Sequence, residues 1–124
     1  MRAVAGMLAL FALGAELSVA AADAPAAPAL SWTRAPGAES CIAGPELAKR
    51  VEAQLGREIL VALPQAQLNV EGSVELADRG YRVHLRLSDP NGSTLGDRTL
   101  AAATDDCRAL DPLLVFLIAL MLDP

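Results

Sequence analysis

Residues 68–87 constrain this chain more than any other stretch. In LNVEGSVEL, Leu68, Val70, Val74 and Leu76 alternate with Asn69, Glu71, Ser73 and Glu75; in YRVHLRL, Tyr81, Val83, Leu85 and Leu87 alternate with Arg82, His84 and Arg86. Successive side chains of a strand point to opposite faces, so this period of two gives each segment one apolar and one polar face. Joining the segments through ADRG sets Leu76 opposite Tyr81, Glu75 opposite Arg82, Ser73 opposite His84 and Glu71 opposite Arg86. A slip of one residue would set core side chains against charged ones, so pattern and charge select a single register.

A second turn follows at DPNG, where Pro90 suits the first corner and Gly92 is free to take a positive φ. A third strand is expected over about 93–103. Leu95 and Leu100 cannot share a face without an extra residue, which predicts a bulge at Gly96. These three strands form an antiparallel meander, with ALSWTR and its Trp32 as a candidate fourth, short N-terminal strand. One face of the sheet is apolar and needs a cover.

Two segments can supply it. GPELAKRVEAQLGRE has Pro45 for a first helical position, Glu46 at the positive helix end and Gly56 for the left-handed position after the last turn. Its Leu47, Val51 and Leu55 make one apolar stripe. REILVALPQAQ, with a short apolar run broken by Pro64, gives no clear assignment. The second segment, LDPLLVFLIALMLDP, holds an unbroken apolar run from Leu113 to Leu122. As a helix this run would span about 15 Å, half of a hydrocarbon core of about 30 Å, so it is expected to dock rather than cross a membrane. Asp111 before Pro112 is its expected start. Phe116 and its neighbours are expected to cover Val74, Val83, Leu85 and Leu100, with part of the far side left for a missing domain or partner. The fold class is thus α+β: an antiparallel meander under an amphipathic helix and an apolar C-terminal helix.

The N-terminus reads as an export signal. Arg2 precedes the apolar run AVAGMLALFALGA, and SVAAADAPAA offers A-x-A-like cleavage sites near Ala20 to Ala22. The run from Ala3 to Ala15 is too short to span a bilayer, and the cleavage region holds no cysteine for a lipid anchor. Residues 1–22 are therefore expected to be a signal peptide, 23–29 an Ala/Pro-rich tether and 30–124 a single domain, periplasmic or secreted, without a transmembrane anchor after cleavage. In that compartment Cys41 and Cys107, the only two cysteines, allow one disulfide. Closing so long a loop contributes about 4 kcal/mol in the chain-entropy account. A metal site needs about four ligands, which two cysteines and the distant His84 do not supply, and no cofactor is expected.

Fifteen acidic against ten basic residues, a net charge of −5, exclude a general nucleic-acid footprint. Ser73 beside His84, with Glu71 and Glu75 nearby, has the residue types of a Ser-His-acid site. Standing on the polar face of a regular hairpin, with no nucleophile elbow in the sequence, these residues read instead as surface. Asp105 and Asp106 read as capping partners of the helix that follows rather than as a catalytic carboxylate pair. Trp32 and Tyr81 are the aromatic platforms a carbohydrate-binding module would need. The row Arg82, His84 and Arg86, joined by Arg98, is the candidate polar binding face. An anionic envelope polymer or an envelope protein would be its partner, although the facing glutamates neutralise much of the row.

The order of features carries a resemblance. A leader, a Trp-containing segment, a cysteine before an amphipathic helix, then NVEG, YRVHLRLSDPNGSTLGDRTL and DDCRALDPLLVFLIALMLDP resemble the N-terminal module of uncharacterised exported proteins of high-GC bacteria. The similarity covers residues 30–124, and its most specific element is the G-x-x-x-G-x-R-x-L run from Gly92 to Leu100 followed by the second cysteine. It implies no activity. In such proteins a proline-rich linker and a further domain often follow, so Asp123-Pro124 looks like a linker start. The sequence therefore reads as a non-catalytic structural or interaction module of the cell envelope, or as the N-terminal accessory part of a larger exported protein.

Overall fold

The hairpin forms in the register that its side chains select. The computed structural model describes residues 27–123; the expected leader, its cleavage region and the first tether residues lie outside them. Two antiparallel strands pair Val74 with Val83, Glu75 with Arg82, Ser73 with His84 and Glu71 with Arg86. In chain order the elements are β1 (Pro28–Arg34), α1 (Gly44–Leu55), β2 (Leu68–Ala77), β3 (Gly80–Ser88), β4 (Thr94–Ala102) and α2 (Asp111–Leu122). Short 3-10 turns occupy Leu63–Gln65 and Cys107–Leu110. At the β2–β3 turn Gly80 takes φ 107°, and a Cβ there would lie 2.0 Å from the Ala102 carbonyl oxygen, so both the conformation and the space demand glycine.

The four strands lie in the order β1-β2-β3-β4. The three antiparallel strands are those expected, and the fourth, whose direction the sequence left open, makes the sheet mixed: β1 runs parallel to β2, with α1 in the connection between them. It is also longer than ALSWTR, since Pro28 and Ala29, assigned above to the tether, belong to it and Ala29 is buried. Backbone bonds from Gln67 and Leu68 to the Ala27 carbonyl, and from Val61 to that of Pro28, fasten the start of β1. In β4 the bulge falls one residue before the expected Gly96. Gly96 pairs with Leu87 and Thr94 with Ser88, so Leu95 is the unpaired extra residue, and it is exposed. This bulge and the charged Asp97 and Arg98 blunt β4, a strand at the margin of the sheet.

Val70, Val74, Val83 and Leu85 form the buried inner face of the sheet. Trp32 joins them from β1, its ring over Gly72, where a Cβ would come within 2.6 Å of the indole. The indole N–H donates to the Ile42 carbonyl at 2.8 Å, tying β1 to the chain that enters α1. α1 has the expected bounds: Pro45 lies in its first turn and Gly56 closes it in the left-handed conformation, with φ 78°. Leu47 and Val51 are buried and Leu55 is partly buried.

α2 docks against α1 and the sheet, and its proline sits in the first turn, where it costs no helical hydrogen bond. Among the described residues no helix is long and apolar enough to cross a membrane. Which side of α2 docks differs from the sequence reading. Leu114, Val115, Ile118 and Ala119 are buried, whereas Phe116 is 47% exposed and does not cover the sheet. A helix that is apolar all round has no periodicity to mark its inner side.

Cys41 and Cys107 form the expected disulfide, with Cα atoms 5.1 Å apart and both residues buried. Beside it, Asp111 at the start of α2 is 3% exposed and accepts from Arg50 of α1 at 3.1 Å and from Arg108 at 2.6 Å; Arg108 also reaches Glu46 at 2.6 Å. Hydrogen bonding to Asp111, then to Glu46, raises the Arg108 pKa above its ordinary value, so its charge persists at any working pH. At the other turn before α1, both carboxylate oxygens of Glu39 accept from the Gly37 backbone N–H at 3.0 Å.

Ile118→Asp should unfold the domain or cost more than about 4 kcal/mol, because it buries an unpaired charge, while Phe116→Asp should leave the urea midpoint nearly unchanged. Equal losses in the two variants would refute the assigned phase of α2. A second expectation concerns acid. The Gly37 backbone N–H foremost, then the Glu39 backbone, with a smaller contribution from Arg34, lowers the Glu39 pKa. A carboxylate whose folded pKa is depressed stabilises the fold above its unfolded pKa and loses that contribution as pH falls through the folded one. The stability difference between the wild type and Glu39→Gln should therefore be present at neutral pH and vanish in acid below the usual carboxylate range.

Candidate functional site

The outer face of the sheet is built by the same alternation that fills the core. With the inner positions on the helix side, Ser31 and Thr33 of β1, Glu71, Ser73 and Glu75 of β2, Arg82, His84 and Arg86 of β3, and Asp97 and Thr99 of β4 point the other way. Neither helix lies on that side. Across its middle, Ser31, Thr33, Glu71, Ser73, His84, Arg86 and Asp97 line a shallow depression of about 420 Å³.

The candidate row Arg82, His84 and Arg86 is thus brought together, but its charges are already answered. Arg82 meets Glu75 at 3.3 Å and Arg86 meets Glu71 at 2.7 Å, and all four side chains stay about half exposed. His84 shares a hydrogen bond of 3.2 Å with Thr99, so its ring is turned to β4 rather than held by Ser73 as a catalytic base would be. Arg98 does not join the row. It pairs with the inward-facing Leu85, which places it on the helix side of the sheet, and its exposure reflects the uncovered rim there. The bulge at Leu95 precedes it, but its place follows from its one-residue offset from Asp97 and Thr99.

Both aromatic candidates for sugar stacking also turn inward. Trp32 packs over Gly72, and Tyr81 is 8% exposed with its hydroxyl 3.5 Å from that of Ser40. Cys41 and Cys107 are spent in the disulfide. Asp106 accepts from the Arg108 backbone N–H at 3.0 Å, the expected capping role, although it caps the 3-10 turn that precedes α2. Among the described residues no group of three or more His, Cys, Asp or Glu could hold a metal ion.

The sequence reading missed the depth of Asp111, placed there only as a helix start. A carboxylate one residue before a proline, within an otherwise apolar stretch, was the available signal; its partner Arg50 lies 61 residues away. No family model matches the sequence, and no curated protein is significantly similar to it.

The pairs on the open face are exposed and contribute little, whereas Asp111 is buried with charged donors. Arg82→Glu should therefore cost only about 0.2–1 kcal/mol, and Asp111→Asn about 1–3 kcal/mol. Chemical denaturation of the two variants checks the ranking, which a larger loss in Arg82→Glu would reverse.

Proposed function

We propose that this chain is a non-catalytic, exported interaction module of the bacterial cell envelope, and that the uncovered face of its sheet meets an envelope protein. The observation that carries the reading is that face itself: four strands wide, free of covering helices and shallowly concave. Its hydroxyls, with Glu71, Glu75 and Asp97 set among Arg82, Arg86 and His84, suit a polar protein surface of mixed charge. An anionic polymer is a poorer fit, because both arginines already hold glutamates and Asp97 adds a further negative charge. Export accords with the leader-like N-terminus and with a disulfide that belongs in an oxidising compartment. The absence of an enzymatic role is supported by a histidine bonded to a threonine and by a depression too open to exclude water.

A photo-crosslinking side chain at Ser73, in the middle of the face, should trap one discrete envelope protein in cells. The same group at the exposed Ala53 of α1 should not. Equal yields at both positions, or no adduct at Ser73, would overturn the reading.

A further inference from the structure

The outer face of the sheet ends in a notch that its row of charges does not enter. Near the start of β2, a cavity of about 400 Å³ brings Asn69 and Ser88 together with Leu63, Pro64 and Ala66 of the first 3-10 turn and Pro90 of the β3–β4 turn. Asn69 and Ser88 are register partners and alternate onto the same face as Glu71 and Arg86, so their Cβ atoms lie about 5 Å apart. Backbone bonds hold both turns in place: Gln65 to Ala62 and Ala66 to Leu63 in one, Gly92 to Asp89 and Asp89 to Ser93 in the other. The notch is therefore formed before anything enters it.

Its polar groups are not answered from within. Ser88 is 7% exposed, yet among the described residues its hydroxyl has no hydrogen-bond partner. Buried hydroxyls are nearly always paired, so one that is not calls for a partner from outside the chain. Asn69 accepts from the Ser31 hydroxyl through Oδ1 at 3.3 Å, which leaves its amide N–H groups to donate elsewhere. The two carboxylates at the notch are, by contrast, already engaged. Glu71 holds Arg86 at 2.7 Å, and Asp89 accepts from the backbone N–H groups of Asn91 and Ser93 at 2.9 and 3.0 Å. Among the described residues no Lys, Arg or His lines the cavity, so a charged ligand meets no free opposite charge there.

We propose that this notch takes an extended, uncharged peptide segment with small apolar side chains, contributed by the envelope protein assigned above to the open face; the inference rests on that reading and names what the face grips. The N–H and C=O of one extended residue point the same way, as they do in a hydrogen-bonded pair of a sheet. A single partner residue thus accepts from the Asn69 amide and donates to Ser88 Oγ. The side chains beside it meet Leu63, Pro64 and Pro90, which suit small apolar groups. The acetamido group of an envelope amino sugar fits less well, because a trans amide sends its C=O and N–H in opposite directions and can use only one of the two.

The test uses the full chain in cells, with a photo-crosslinking group at Ser73 or at Ala66. Both positions should trap the same protein, with the Ala66 adduct on an uncharged segment of it. Asn69→Asp and Ser88→Ala should each lower the yield at Ser73 about threefold to tenfold, the loss of one neutral hydrogen bond. The thermal midpoint of purified Ser88→Ala should stay at or above the wild-type value, since the hydroxyl has no partner within the fold. A lowered midpoint would show that the hydroxyl serves the fold and overturns the proposal. An adduct at Ser73 undiminished in both variants, or an Ala66 adduct that carries glycan, overturns the notch and leaves the open-face reading intact. No adduct at Ser73 overturns the open-face reading and the notch with it.

Discussion

Everything in this fold answers to one demand, that the apolar face made by Val70, Val74, Val83 and Leu85 be covered. The alternation that creates this face also creates its polar opposite, so the sheet cannot bury one without presenting the other. Two helices do the covering, and they are fastened to each other at one corner. The disulfide from Cys41 to Cys107 lies shortly before the start of each helix, and Asp111 binds Arg50 of α1 across the same junction.

That corner decides the orientation of α2. Asp111 is turned inward to meet its two arginines, and residues three, four, seven and eight positions later follow it to the same side: Leu114, Val115, Ile118 and Ala119. The ion pairs therefore act less as a source of net stability, since desolvating a carboxylate offsets much of what its partners return, than as a choice among the nearly equivalent faces of an apolar helix. The disulfide acts on a different state, restricting the unfolded chain between positions 66 residues apart. Once the phase is set, Leu113, Phe116 and Leu120 are left outside.

The molecule consequently offers two surfaces of opposite character. The outer sheet face is polar, with charges paired among themselves at little cost to stability, so it can change in sequence without endangering the fold. The outer side of α2 is apolar and backed directly by the core. Hydrogen bonds and charge placement would select what meets the first, shape and burial what meets the second.

Sequence alone determined what nearest neighbours and strict alternation determine. The β2–β3 register followed from facing glutamates and arginines, the ends of α1 from Pro45 and Gly56, and the disulfide from there being only two cysteines. The polar row Arg82, His84 and Arg86 was legible for the same reason. Tertiary structure decided the rest. The parallel pairing of β1 depends on a crossover through α1, which no local pattern encodes. Trp32 turned inward because Gly72, 40 residues on, leaves room for its ring, and Arg98 fell on the helix side because the strand offset puts it opposite Leu85. The inner side of α2 had no signal in its apolar residues, and the one at its start, Asp111, depends on Arg50, 61 residues away. Where every side chain is apolar, burial favours all orientations nearly alike, and only contacts with the rest of the folded chain distinguish them.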